Sequence, residues 1–266
     1  NSWVAAAIKD FTVGQLRVFI HKTREESGKA AAETAVKAIL DAVATKGEAN
    51  VIFAAAPSQN DLLAALRANK RIPWDKVNAF HLDEYHTLPK GAPQRFDLFL
   101  RKNIWDEVVP AKVYPVVPED GMTVGDINAG YMKLLNEHGP DLAFLGVGEN
   151  GHLAFVDPPY ADFEDKATIR EVELDPVCRN QQVFDGAYSR VEDVPRAAVT
   201  MTIPTIMRAK TLVTVVPGVR KTDAVKAMLE GPVTTACPAS VLRRHQYSML
   251  FLDMDSSGKL EAAGGS

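Results

Sequence analysis

Short apolar runs alternate with helix-patterned stretches along most of this 266-residue chain, and that alternation limits the fold more than any single residue does. The runs at 16–20, 51–56, 77–82, 142–145, 212–216 and 249–252 have the length and composition of buried strands. Between them, helices are predicted at 61–68, 95–104, 124–137 and 221–230. A longer, alanine-rich helix is predicted to run to about residue 43, opened by the capping-box pair Thr23 and Glu26. Strand–helix alternation of this kind builds βαβ units, and therefore an α/β fold with a mostly parallel sheet covered by helices on both faces. With 46% hydrophobic and 24% charged residues, 1–266 reads as one α/β domain. Residues 157–200 carry many charges without a clear period and read as a flap or lid. The small-residue tail at 262–266 reads as frayed.

In an open parallel sheet, ligands bind beyond the carboxyl ends of the strands. Four polar clusters follow such ends: Ser58-Gln59-Asn60, Asp83-Glu84-Tyr85-His86, the segment 149–157, and Arg220-Lys221. If the four strands are parallel, all four clusters share one sheet edge. The third cluster follows a turn with Gly146, Gly148 and Gly151, residues suited to close approach by a ligand. It holds His152 between two carboxylates, Glu149 and Asp157. A carboxylate on one ring nitrogen fixes the tautomer and leaves the other nitrogen free to move protons. A polar loop whose histidine satisfies a backbone carbonyl fits that stretch equally well. Asp83 reads either as a general base perturbed by Glu84 or as the cap of a turn.

Composition excludes several classes. A net charge of −4, with no basic cluster beyond Arg243-Arg244, argues against nucleic acid. No apolar run approaches the roughly 18 residues that span a bilayer, and the N-terminal stretch lacks a signal-peptide pattern. Cys178 and Cys237 make no disulfide framework and have no zinc-ligand spacing, so a reducing cytoplasm is the expected location, with no cofactor and no metal. His81 reads as structural. His86, just beyond Asp83-Glu84-Tyr85, reads as a possible substrate contact, and His21, His138 and His245 as ordinary surface or core-edge residues.

Two clusters together resemble the glucosamine-6-phosphate deaminase family. Phe80-His81-Leu82-Asp83-Glu84-Tyr85, followed by Leu88-Pro89, is similar to its Asp-Glu-Tyr motif. Gly146 to Pro158 is similar to its Gly-x-Gly-x-x-Gly-His-x-Ala-Phe-x-(Asp/Glu)-Pro motif. The likeness continues more weakly from about residue 16 to residue 253. It implies a Rossmann-like three-layer sandwich acting on an amino-sugar phosphate, by ring opening, aldose–ketose isomerisation and loss of ammonia. By the same resemblance Asp83 matches the general base and His152 the ring-opening acid/base, with Glu149 and Asp157 as carboxylate partners. Gly148 and Glu84 fall among the substrate-site positions, and Lys221 matches the phosphate lysine.

The chain departs from the family in three places. Glu149 and Asp157 stand where better-known members carry Asp and Glu. Ala55-Ala56-Pro57-Ser58-Gln59-Asn60 replaces a Gly-rich phosphate loop, leaving the Ser58 hydroxyl, the Gln59 or Asn60 amides and the helix N-terminus as anion ligands; Ser58 also suits the helix N-cap. The lid arginine has no clear match: Gln182 aligns there, with Arg179 three residues earlier as a substitute. Three functions follow from these residues: deamination of glucosamine 6-phosphate or another hexosamine phosphate such as galactosamine 6-phosphate, lactone hydrolysis as in the related 6-phosphogluconolactonases, or non-catalytic sugar-phosphate sensing. Tyr85 and Ala154-Phe155 favour the first. A small-molecule sugar phosphate is the expected partner, and a homo-oligomer is compatible with the sequence.

Overall fold

The computed structural model describes residues 5–261; the 262–266 tail lies outside the described residues. In chain order the elements are strand β1 (Lys9–Val13), β2 (Leu16–His21), helix α1 (Arg24–Lys46), β3 (Ala49–Phe53), α2 (Asn60–Ala68), β4 (Val77–His81), β5 (Asp83–Glu84), α3 (Phe96–Leu100), α4 (Asp106–Val108), β6 (Lys112–Val113), α5 (Val124–Glu137), β7 (Leu142–Leu145), β8 (Ile169–Glu173), α6 (Pro176–Phe184), β9 (Ala197–Met201), α7 (Ile203–Met207), β10 (Thr211–Val216), α8 (Thr222–Glu230) and β11 (Ser248–Asp253). The main sheet runs β1-β2-β11-β10-β7-β3-β4-β6. Only β1 is antiparallel to its neighbour; the other pairs are parallel. Every residue of β3, β4 and β7 is buried, as a parallel sheet covered on both faces requires.

The chain moves outward from β3 to β4 and β6, then returns to the other side of β3 with β7 and continues to β10. That reversal opens a crevice at the carboxyl ends of β3 and β7. The central strands are locked by aromatic packing: Phe53 meets Trp105 edge-on at 5.7 Å and Phe144 at 5.4 Å. Full burial of such a ring contributes roughly 1.5–3 kcal/mol. On α1, Thr23 caps the N-terminus by accepting from the Glu26 amide, and Gly47 ends the helix with φ 80°. Gly28 on this helix is required by packing, because a Cβ there would lie 2.6 Å from Asp61 Cβ on α2.

Several expected boundaries shift. The strand at 51–56 ends at Phe53, and Ala54–Ala56 lead into a single 3₁₀ turn at Pro57–Gln59. The helix expected at 95–104 begins one residue later and continues to Val108 through a π-helical turn at Arg101–Trp105. The Asn103 amide donates to the Phe99 carbonyl in that stretch, and the Arg67 guanidinium donates to the Asn103 carbonyl. Residues 157–200, the expected flap or lid, carry β8, α6 and β9, and β9 joins β5 and β8 in a small antiparallel sheet. Beneath that sheet Tyr85, Phe96 and Phe155 form a triangle of rings 5.1–5.5 Å apart, which seats the segment on the main sheet edge. Among the described residues, no helix is long and apolar enough to cross a membrane.

Candidate active site

Because β3, β4, β7 and β10 are parallel, the four polar clusters do share one edge. Ser58, Asp83, Gly148, His152 and Lys221 line a single pocket there. Asp83 enters it from the first residue of β5, whose backbone pairs with Thr200 of β9. Only 7% of Asp83 is exposed, and burial, reinforced by the adjacent Glu84 carboxylate, holds its carboxyl well above the usual carboxylate range. Glu84 itself faces away from the pocket. Its oxygens accept from the amides of Tyr85, Phe96 and Asp97, so it fastens the start of α3 and acts on Asp83 only through charge.

The turn after β7 is closed by two backbone bonds, Gly148 N–H to the His152 carbonyl and Gly151 N–H to the Gly148 carbonyl, each 2.9 Å. Gly148 has no alternative here: a Cβ would fall 1.8 Å from the His152 ring. The residue beside the imidazole is Asn150, not Glu149. Asn150 Oδ1 lies 2.6 Å from Nδ1 and also accepts from the His152 amide, while its Nδ2 donates to Asp157 Oδ1 at 3.2 Å. Asp157 Oδ1 is 3.4 Å from Nδ1. An acceptor on Nδ1 places the proton there and leaves the Nε2 lone pair free. Glu149 turns the other way and pairs with Arg220 at 3.0 Å, so one carboxylate rather than two adjoins the ring. The expected pair of carboxylates around the imidazole is therefore reduced to Asp157.

Burial, and then the Lys221 cation, lower the His152 pKa to about 3, so the ring is neutral at neutral pH. Asn150→Asp should raise that pKa, because a carboxylate on Nδ1 favours the imidazolium. An NMR titration of His152 reads this directly; an unmoved midpoint would remove Asn150 as the group that sets the ring's basicity.

Lys221, in the same pocket lining, is nearly buried, and desolvation lowers its pKa against the opposing pull of Asp185 and Glu149. Ser58 lines the same pocket. Three expected ligands are elsewhere. The Gln59 amide is buried against the Leu145 and Val215 carbonyls. Asn60 starts α2 outside the pocket lining. Arg179 gives its guanidinium to the Val191 and Val194 carbonyls, where it ties down the loop after α6 and is no substitute lid arginine. Gln182, at the lid arginine's aligned place, does line the pocket, with Gln181 and Asp185 from the same helix end. Asp185 carried no spacing or motif that would have found it; Asn150 had the Asn-Gly turn dipeptide. His81 is buried and accepts from the Val116 amide, and His86 bonds Glu171 on β8, outside the pocket.

The family model for glucosamine-6-phosphate isomerases and 6-phosphogluconolactonases matches residues 22–251. The chain belongs to this family. It is 35% identical to a glucosamine-6-phosphate deaminase of Exiguobacterium sibiricum over 71% of this chain and 73% of the relative. It is 33% identical to that of Bacillus cytotoxicus over 87% and 86%. The fold matches a monomeric glucosamine-6-phosphate deaminase at TM-score 0.81 and 22% identity, covering 91% of this chain and 98% of that one. It also matches the 6-phosphogluconolactonase of Trypanosoma brucei at 0.74 and 17%, covering 95% and 100%.

Proposed function

We propose that this member of the family is a glucosamine-6-phosphate deaminase. The observation that carries the reading is the meeting of Asp83, the His152 ring and the Lys221 ammonium around one pocket at the sheet's carboxyl edge. In that arrangement the sugar lies with its phosphate toward Lys221 and Ser58 and carbons 1 and 2 between Asp83 and His152. His152 Nε2 takes the proton of the anomeric hydroxyl as the ring bond breaks and returns it to the ring oxygen. The ionised Asp83 then takes the proton from carbon 2 and delivers it to carbon 1. Water adds at carbon 2 and ammonia leaves, giving fructose 6-phosphate. Burial favours the protonated form of Asp83, and the substrate's amino cation shifts it toward the ionised form that a base needs.

The pocket between these groups encloses about 60 Å³ and shares Ser58, Gln181, Asp185 and Lys221 with an outer chamber of about 780 Å³. Ligand pockets commonly reach roughly 300–1,000 Å³, so a hexose phosphate needs the α6 segment to yield. We read that segment as the lid, held down where Gln181 accepts from the Glu149 amide and where Phe184 lies 3.6 Å under the Arg220 guanidinium.

Lys221→Met should mainly raise KM for phosphorylated substrates, by about 1.5–3 kcal/mol for a charge-assisted bond; an unchanged KM would reopen the substrate class. The decisive assay offers glucosamine 6-phosphate, galactosamine 6-phosphate, unphosphorylated glucosamine and 6-phosphogluconolactone, and measures ammonium, ketose phosphate and acid. Equimolar ammonium and fructose 6-phosphate is the expected result. Lactone hydrolysis without ammonium release from either amino sugar would overturn the reading in favour of the lactonase branch.

A further inference from the structure

No zinc-ligand spacing exists in the sequence, yet the fold assembles a donor set from three distant stretches. A ring nitrogen of His152, a carboxylate oxygen of Asp157 and the thiol sulfur of Cys178 lie within 4.8 Å of one another, and all three residues are buried. His152 and Asp157 come from the loop after β7, and Cys178 from the first turn of α6. The Asp157 Oδ1 to His152 Nδ1 separation of 3.4 Å matches the ligand-to-ligand span of a tetrahedral zinc centre, about 3.3–3.8 Å for bonds of 2.0–2.3 Å. Asn150 Oδ1, 2.6 Å from the same nitrogen, is its hydrogen-bond acceptor in the metal-free protein and must give way when a metal binds Nδ1.

Charge points the same way. Asp157 is completely buried, and among the described residues its partners are the Asp175 amide, the Asn150 amide and the His152 ring, with no Lys or Arg. A divalent cation would neutralise that carboxylate together with a Cys178 thiolate in a medium that penalises isolated charge, against the repulsion of the Lys221 ammonium, which acts on both His152 and Cys178.

We infer that His152, Asp157 and Cys178 form an inhibitory site for a thiophilic divalent cation such as Zn²⁺. On binding, the Cys178 thiol gives its proton to solvent as the metal–sulfur bond forms, and His152 donates its Nδ1 lone pair while its remaining proton moves to Nε2. Nε2 then has no lone pair to offer the sugar. The consequence for turnover rests on the deaminase reading; metal binding does not.

Metal-free protein titrated with Co²⁺ should show a thiolate-to-cobalt charge-transfer band saturating at one ion per chain and lost on adding Zn²⁺. The band should disappear in Cys178→Ser and persist in Cys237→Ser. Zn²⁺ should halve ammonia release from the wild type at a concentration at least about tenfold below that needed for Cys178→Ser, since losing a ligand weakens a site at least as much as losing an outer-shell partner, which costs about 10–100-fold. Crystals soaked in Zn²⁺ supply a readout without any variant: an anomalous peak among His152, Asp157 and Cys178 is expected. Absence of the wild-type band, its survival in Cys178→Ser, or an anomalous peak only on the surface would overturn the site. Spectral and anomalous binding without ammonia release from any amino sugar would instead retire the deaminase reading and leave the metal site standing.

Discussion

Asp83→Asn should lower turnover by about 10²–10⁴-fold, the range that general acid–base catalysis supplies, while leaving substrate affinity within about tenfold because the base acts in the transition state. The same substitution should raise thermal stability at neutral pH. Folding buries Asp83 beside Glu84 and lifts its pKa, so the native state holds a proton that the unfolded chain releases. A carboxyl raised in this way contributes its full stability below its unfolded pKa, about 4, and loses it as pH rises through the folded value. Asparagine, neutral at every pH, removes that loss. The gain in Tm should therefore be largest at neutral pH and shrink toward pH 4. Turnover within a few-fold of wild type would remove Asp83 from the chemistry; an undiminished gain at pH 4 would remove the buried-proton explanation.

Gly148→Ala should be nearly as damaging through geometry alone. The added methyl would sit 1.8–2.4 Å from three atoms of the His152 ring, so the imidazole must leave its place beside Asn150. Displacing a reacting group by about 1 Å costs on the order of 10²-fold in rate, and the displacement here is larger. Circular dichroism and a melting curve check that the fold survives, since the turn's closing bonds use the Gly148 backbone N–H and carbonyl, which alanine retains. A folded Gly148→Ala enzyme with a normal kcat would show that the imidazole position is not critical.

How much of this was legible in the sequence depends on what each residue had to reveal. The central strands β3, β4, β7 and β10 were readable because burial on both faces demands unbroken apolar runs, such as Leu142–Leu145. Their parallel direction followed from the helices between them, and with it the shared edge that gathers Ser58, Asp83, His152 and Lys221. The peripheral strands left little trace. β5 is two residues long, and β8 exposes Arg170, Glu171 and Glu173. Edge strand β1 alternates half-buried and exposed residues.

Side-chain direction was the harder part. Glu149 and Asn150 are adjacent and equally polar, and nothing in their spacing says which reaches the imidazole. An Asx-type bond from Asn150 to the His152 amide decides it, and Glu149 is left to Arg220. Arg179 looked like a free cation near a lid, but two carbonyls at Val191 and Val194 consume it. Gln59 looked like a phosphate ligand, yet it bridges the ends of β7 and β10 from beneath the pocket. These outcomes rest on long-range partners brought together only by the fold.

The most direct measurement is a crystal structure with the open-chain amino alcohol phosphate made by reducing the aldehyde of glucosamine 6-phosphate, which binds without reacting. The expected density places the phosphate against Lys221 and Ser58, carbon 2 within proton-transfer reach of Asp83, and the carbon 1 end toward His152. A phosphate lodged in the outer chamber away from Lys221, or a chain reversed so that its amino carbon lies far from Asp83, would contradict the assignment of this pocket as the deaminating site.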